Sequence, residues 1–199
     1  MKKIIVILLY LLTLQLYSQV KPIEALLHDN YSKNANTYYK DTNGRLANCV
    51  GTWEYNNGND YFKITFSVVK DLANESYNVY ADRLKVKFIY KKNGIVKYDN
   101  YGNLYPIGSY VNTKPSDITS VFVLPSRISF LYSEPSATNC YRRRVGDLDI
   151  QYVAGNPAKL TWKRTTNERY FQNGPCDDGS QTDDVPFIIP ADMILTKVN

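Results

Sequence analysis

The amino-acid sequence predicts an all-β protein, an antiparallel meander of about eight to ten strands forming a barrel or sandwich. Three observations carry this. Apolar residues recur at every second position in run after run, the mark of strands with one face buried. Turns rich in Asn and Gly separate the runs at intervals of roughly 8 to 12 residues, as in sandwiches and barrels. No long stretch shows the periodicity of a helix after the N-terminal region.

In chain order, Met1, Lys2 and Lys3 precede an apolar run from Ile4 to Leu12 that continues through Leu14 and Leu16. A basic start, a short apolar core and the small residue Ser18 have the form of a secretory signal peptide, with cleavage expected between Ser18 and Gln19. The competing reading is a membrane anchor, but an apolar segment of about 13 residues falls short of the roughly 20 that cross a bilayer. No cysteine lies near the cut to carry a lipid. The expectation is a soluble exported protein, periplasmic or extracellular, that does not span a membrane once residues 1–18 are removed. Residues 19–48 are polar and mixed apart from a short helical stretch at Pro22 to Leu27, and read as a partly ordered leader arm.

Residues 49–199 read as a single β domain. Phe62, Ile64, Phe66 and Val68 alternate with Lys63, Thr65 and Ser67; Leu84, Val86, Phe88 and Tyr90 alternate with Lys85, Lys87 and, as the exception, Ile89. Ile128, Phe130 and Tyr132 alternate with Arg127, Ser129 and Ser133, and Leu148, Ile150 and Tyr152 with Asp147, Asp149 and Gln151. Asn56–Asn57–Gly58–Asn59 and Asn93–Gly94 read as hairpin turns, because Asn and Gly accept positive φ. Gly155–Asn156–Pro157 gives a third turn before Leu160 and Trp162. No internal repeat is evident, so a propeller or solenoid is not supported.

Composition narrows the function. The chain has 199 residues, 44% hydrophobic and 22% charged, which places it among folded domains of ordinary size. Its single histidine, His28, excludes H-E-x-x-H zinc sites and leaves any Ser-His or Cys-His dyad one candidate base. His28 lies in the leader arm, outside the strand runs, where a structural or exposed role is favoured over general-base work. Losing Lys2 and Lys3 with the signal peptide lowers the net charge from +5 to +3. The basic residues are spread along the chain, so a nucleic-acid partner is not expected. Of the three cysteines, Cys140 and Cys176 sit in turn-rich polar stretches and are the favoured disulfide, with three buried thiols as the alternative. That bridge would contribute about 3 to 4 kcal/mol through chain entropy. Cys49 shares strand parity with Gly51, Trp53 and Tyr55 and is expected on their side of the sheet. No C-x-x-C occurs, which removes support for thioredoxin-like chemistry and zinc ribbons.

From Cys49–Val50–Gly51–Thr52–Trp53–Glu54–Tyr55 onward the sequence resembles a domain-of-unknown-function family of small exported Bacteroidetes proteins. The shared marks are the Lys-Lys signal peptide ending in Ser-Gln, the G-T-W-E-Y opening, the Asn57–Asp60 hairpin, Phe62–Lys63–Ile64, Tyr80–Ala81–Asp82–Arg83–Leu84, and the hairpin at Lys92–Asn93–Gly94. The closing Phe187 to Lys197 segment is similar to the family's ending. Lys85 stands where a Gly follows that leucine in the family pattern, and Arg142–Arg143–Arg144 has no counterpart in it. The resemblance implies export and a β-rich fold, and no mechanism. A second resemblance, of fold alone, is to lipocalins, and it implies a calycin-like cup. Gly51–Thr52–Trp53 matches the Gly-x-Trp of their first strand, and Lys197 or Arg164 would be the basic residue lying against that Trp near the last strand.

The candidate ligand-binding residues are Trp53, Tyr55, Phe88, Tyr132, Tyr152 and Trp162, inward aromatics able to line a cup for a small apolar molecule. The competing reading is a filled core, the usual interior of a small barrel. Asp177, Asp178, Gly179, Asp183 and Asp184 gather carboxylates around a turn, but without the alternation and the Glu of an EF-hand loop. Arg142–Arg143–Arg144 has the chemistry to bind anions, and as a run of like charges reads first as a solvated loop. No catalytic or metal constellation and no cofactor is indicated. The functional expectation is a non-catalytic binding or interaction module for an unknown small molecule or protein. The alternatives are a secreted hydrolase working through carboxylates, whose pair spacing a sequence does not reveal, and an outer-membrane barrel. Against the latter stand short strands broken by Pro106, Pro115, Pro125 and Pro135.

Overall fold

The computed structural model describes residues 19–99, 117–134, 144–166 and 187–198. Residues 1–18, which carry the expected signal peptide, and Cys140, Cys176, Arg142, Arg143, the Asp177–Asp184 carboxylates, Pro106, Pro115 and Pro135 lie outside the described residues. Eleven strands are described: β1 (Gln19–Pro22), β2 (Thr37–Lys40), β3 (Gly51–Asn56), β4 (Asp60–Asn74), β5 (Val79–Lys92), β6 (Ile95–Asp99), β7 (Asp117–Val123), β8 (Ile128–Glu134), β9 (Arg144–Val153), β10 (Lys159–Thr166) and β11 (Asp192–Val198). Short 3-10 helices at Ile23–Leu27, Tyr31–Asn34 and Ala47–Cys49 complete the set.

The period-two runs are strands because alternation lets one face bury its side chains while the other meets water. In β4 Phe62, Ile64 and Phe66 are buried, and their cross-strand partners on β5 are Tyr90, Phe88 and Val86. The Asn93–Gly94 turn has φ of 51° and 77°, the double positive that a two-residue hairpin requires and that these residues adopt at low cost.

From β3 to β11 each strand pairs antiparallel with the next in sequence, except that β6 and β7 do not pair and β10 leads to β11, which returns to β3. The meander therefore joins first strand to last and leaves its seam between β6 and β7. The sheet curls, and β7 comes against the Ile23–Leu27 helix and β5. The leader arm adds what alternation does not show: β1 pairs parallel with β2, and β2 pairs parallel with β5 at Tyr80 and Ala81. The sheet is thus mixed, an antiparallel half-barrel with two parallel strands at one margin.

One aromatic-rich core lies on the concave side, formed by Trp53, Phe62, Phe66, Phe88, Phe130, Tyr132, Trp162 and their aliphatic neighbours, and Ile23 of the leader arm joins it. A smaller cluster of Tyr39, Val79 and Ala81 lies on the opposite face of β2 and β5, packed against Ala25, Leu26 and Tyr31. The leader arm is therefore packed on both faces of the sheet margin.

Candidate functional site

The concave face has two ends. At the end where β3 begins, Trp53 projects inward with no exposed surface, and its indole N–H donates to the Cys49 carbonyl at 2.8 Å. Cys49 stands in the Ala47–Cys49 helix rather than in a strand, but it is buried with its side chain in the same core, on the expected side. Burial pushes its thiol pKa up to about 12, so Cys49 is a free, protonated thiol at neutral pH. Lys197 of β11 pairs with Trp53 in register, and its ammonium lies 5.2 Å from the ring centroid. Of the two basic residues that the lipocalin resemblance offered, Lys197 makes this contact, while the Arg164 guanidinium stacks on Phe187 at 3.7 Å.

Gly51 is what admits Lys197. Its φ is +119°, and a Cβ there would sit 3.0 Å from Lys197 Cε. Tyr152 meets Trp53 edge-on at 6.3 Å. The one polar side-chain atom of Trp53 thus has its partner within the protein.

The end where β3 finishes, near Asn56, is different. Trp162 of β10 is 1% exposed and touches Phe62 edge-on at 5.0 Å and Tyr132 at 5.8 Å. Its indole N–H has no hydrogen-bond acceptor. Phe187 lies 5.9 Å from Tyr132, and the chain from Phe187 to Pro190 leads into β11 above these rings, with Ile189 buried in the core. The Tyr90 hydroxyl donates to Asp60 at 2.5 Å and lies 3.0 Å from the Ile188 carbonyl. Tyr55 is half-buried, and its hydroxyl accepts from Asn57 Nδ2 at 3.0 Å.

All six residues named from the sequence lie on this one concave face. Trp53, Phe88, Tyr132 and Trp162 are buried members of the cluster, and Tyr55 and Tyr152 pack against it half-buried. Phe88 shares the register row of Trp53 through Ile64 and lies 5.7 Å from Phe62. Among the described residues no group of three or more His, Cys, Asp or Glu side chains is placed to hold a metal ion.

The chain matches the Family of unknown function (DUF6705) over residues 1–198. It belongs to that family. No curated protein and no solved structure matches it. The G-T-W-E-Y opening and the Phe187–Lys197 ending, the two stretches most telling in the sequence, meet in the DUF6705 fold: one supplies Gly51 and Trp53, the other Lys197 on the strand beside them.

One cluster of the DUF6705 chain escapes sequence reading altogether. Strands β4 and β5 run on past the start of β3, and on this extension the Lys70 ammonium stands 4.4 Å and 4.7 Å from the ring centroids of Tyr38 and Tyr80. Beside it Asp82, 8% exposed, accepts from the Tyr38 hydroxyl at 2.5 Å and from the Asp41 amide at 2.8 Å. Burial, and then the Asp82 carboxylate, push the Tyr38 phenol up to about 12. Asp41 in turn accepts from the amides of Arg45, Leu46 and Ala47, so the two carboxylates tie the leader arm to the barrel. His28, the chain's single histidine, is exposed in that arm.

Proposed function

We propose that this DUF6705 protein is an exported, non-catalytic binding module that holds a small, largely apolar molecule at the Asn56 end of its concave face. The observation that supports it is the gathering of Tyr55, Phe88, Tyr132 and Trp162 on that face, where the Tyr55 and Tyr90 hydroxyls and the Trp162 indole N–H are the polar groups among the rings. An aromatic wall with a few fixed polar groups is the composition of a small-molecule site.

The outer face supports a soluble protein. Glu54, Lys63, Lys85, Lys87, Asp147, Asp149 and Lys163 project from the side opposite the core, and Glu54 pairs with Lys63 at 3.3 Å. A bilayer-spanning barrel needs an apolar band on that side. No described helix is long and apolar enough to cross a membrane. Export is read from the Lys2–Lys3 start, the apolar run to Leu16 and Ser18.

Native mass spectrometry of the protein purified from its own host tests the reading. The expected result is a species heavier than the chain by one small molecule, reduced to chain mass on denaturation. A protein that carries nothing and takes up no member of a lipophilic compound panel would overturn it.

A further inference from the structure

We infer that Trp162 is the polar anchor of that site, and that the ligand is an uncharged molecule presenting one hydrogen-bond acceptor, a ketone, ester or amide carbonyl, to the indole N–H. The inference rests on the binding reading above and adds the ligand's chemistry.

It starts from a contrast between two tryptophans in one core. Trp53 and Trp162 are each at most 1% exposed, yet Trp53 donates to the Cys49 carbonyl and Trp162 donates to nothing. A buried donor without an acceptor is destabilising by about 1 to 3 kcal/mol, and such groups are rare enough that each calls for an occupant or a role. A carbonyl oxygen on a bound molecule supplies what is missing.

The surroundings select the class. Trp162 is walled by Phe62 and Tyr132, and the neighbouring cation Arg164 is already stacked on Phe187 with Nη2 directed at the Ile189 carbonyl at 3.5 Å. Moving a carboxylate among aromatic rings costs far more than moving a carbonyl, because the charge loses its hydration. A neutral acceptor on an apolar body satisfies the indole and leaves the rings in contact with carbon.

The test uses three probes of equal chain length: 2-octanone, octane and octanoate. Binding to the purified protein is followed by tryptophan fluorescence and by the indole N–H resonance of Trp162 in the ¹⁵N-labelled protein. The expected result is that 2-octanone binds best and shifts that resonance. Trp162→Phe then weakens 2-octanone about tenfold, the equivalent of one hydrogen bond, and leaves octane unchanged. Equal affinity for 2-octanone and octane in the native protein, or an unmoved indole resonance, overturns the anchor while the apolar site stands. Tighter binding of octanoate overturns the neutral class. Binding of none of the three removes the anchor together with the apolar site. The resonance is read on the unsubstituted protein, so the result holds even where Trp162→Phe does not fold.

Discussion

At the scale of single residues, the two tryptophans are expected to behave unlike each other in the free protein. Trp53→Phe removes the donor that satisfies the Cys49 carbonyl and leaves a smaller ring under Lys197, at a cost of about 2 to 4 kcal/mol. Trp162→Phe loses ring volume but also removes an unsatisfied donor, so its cost is expected to be lower by about 1 kcal/mol or more. Urea unfolding of the two variants without ligand decides this, and equal costs would mean that Trp162 finds an acceptor in solution. Gly146 gives a second residue-level expectation. It lies on β9 where a Cβ would meet the Thr165 carbonyl oxygen at 2.5 Å, beside Arg164 and Phe187. Backbone cannot retreat as a side-chain tip can, so Gly146→Ala is expected to destabilise by about 1 to 3 kcal/mol. A melting temperature equal to wild type would show that β9 and β10 shift freely there.

At the scale of elements, what was legible in the sequence followed from periodicity. The runs at Phe62–Val68, Leu84–Tyr90, Ile128–Tyr132 and Leu148–Tyr152 all became strands, because strict alternation has few other uses. The parallel strands β1 and β2 were not legible. Each is four residues long, too short to display a period, and their place at the sheet margin comes from the distant pairing of β2 with β5, to which β1 adds through β2. For the same reason the Tyr38–Lys70–Asp82 cluster was invisible, since it joins residues 44 positions apart. The six candidate aromatics were legible as one face, whereas the open donor on Trp162 emerges only in the folded chain.

The leader arm is also held by Asp29, which accepts from Lys21 Nζ at 2.7 Å and from the Tyr39 hydroxyl at 2.8 Å. The hydrogen bond from Lys21, and then that from Tyr39, hold its carboxyl below the ordinary 3.8. A lowered carboxylate pKa adds stability that is full well above 3.8 and fades as pH falls through the lowered value. Asp29→Asn is therefore expected to lower stability near neutrality, and the gap to wild type is expected to close in acid. A gap independent of pH between neutrality and strong acid would show that the carboxylate's charge is not what holds the arm.

At the scale of the whole molecule, the curl of the sheet divides its chemistry into an aromatic inside and a charged outside. The two are consequences of one pattern, since a strand that alternates Phe62, Ile64 and Phe66 with Lys63 and Thr65 must send one set each way. The concave side then buries rings, and Thr52 and Thr65, hydrogen-bonded at 2.9 Å, continue the polar surface on the other. A lipid-facing barrel would require the reverse arrangement, with apolar residues outward at bilayer depth, where a lysine costs about 2 to 4 kcal/mol. Lys63, Lys85, Lys87 and Lys163 together would make insertion prohibitive. Fractionation of the native host makes the expectation concrete. With the expected cleavage after Ser18, the protein should leave the membrane pellet completely in a carbonate wash and remain folded in detergent-free buffer, by circular dichroism of a β-rich type. Retention in the washed pellet would show that the charged face is covered by another membrane component, and the soluble assignment would then fall while the concave aromatic face stayed as it is.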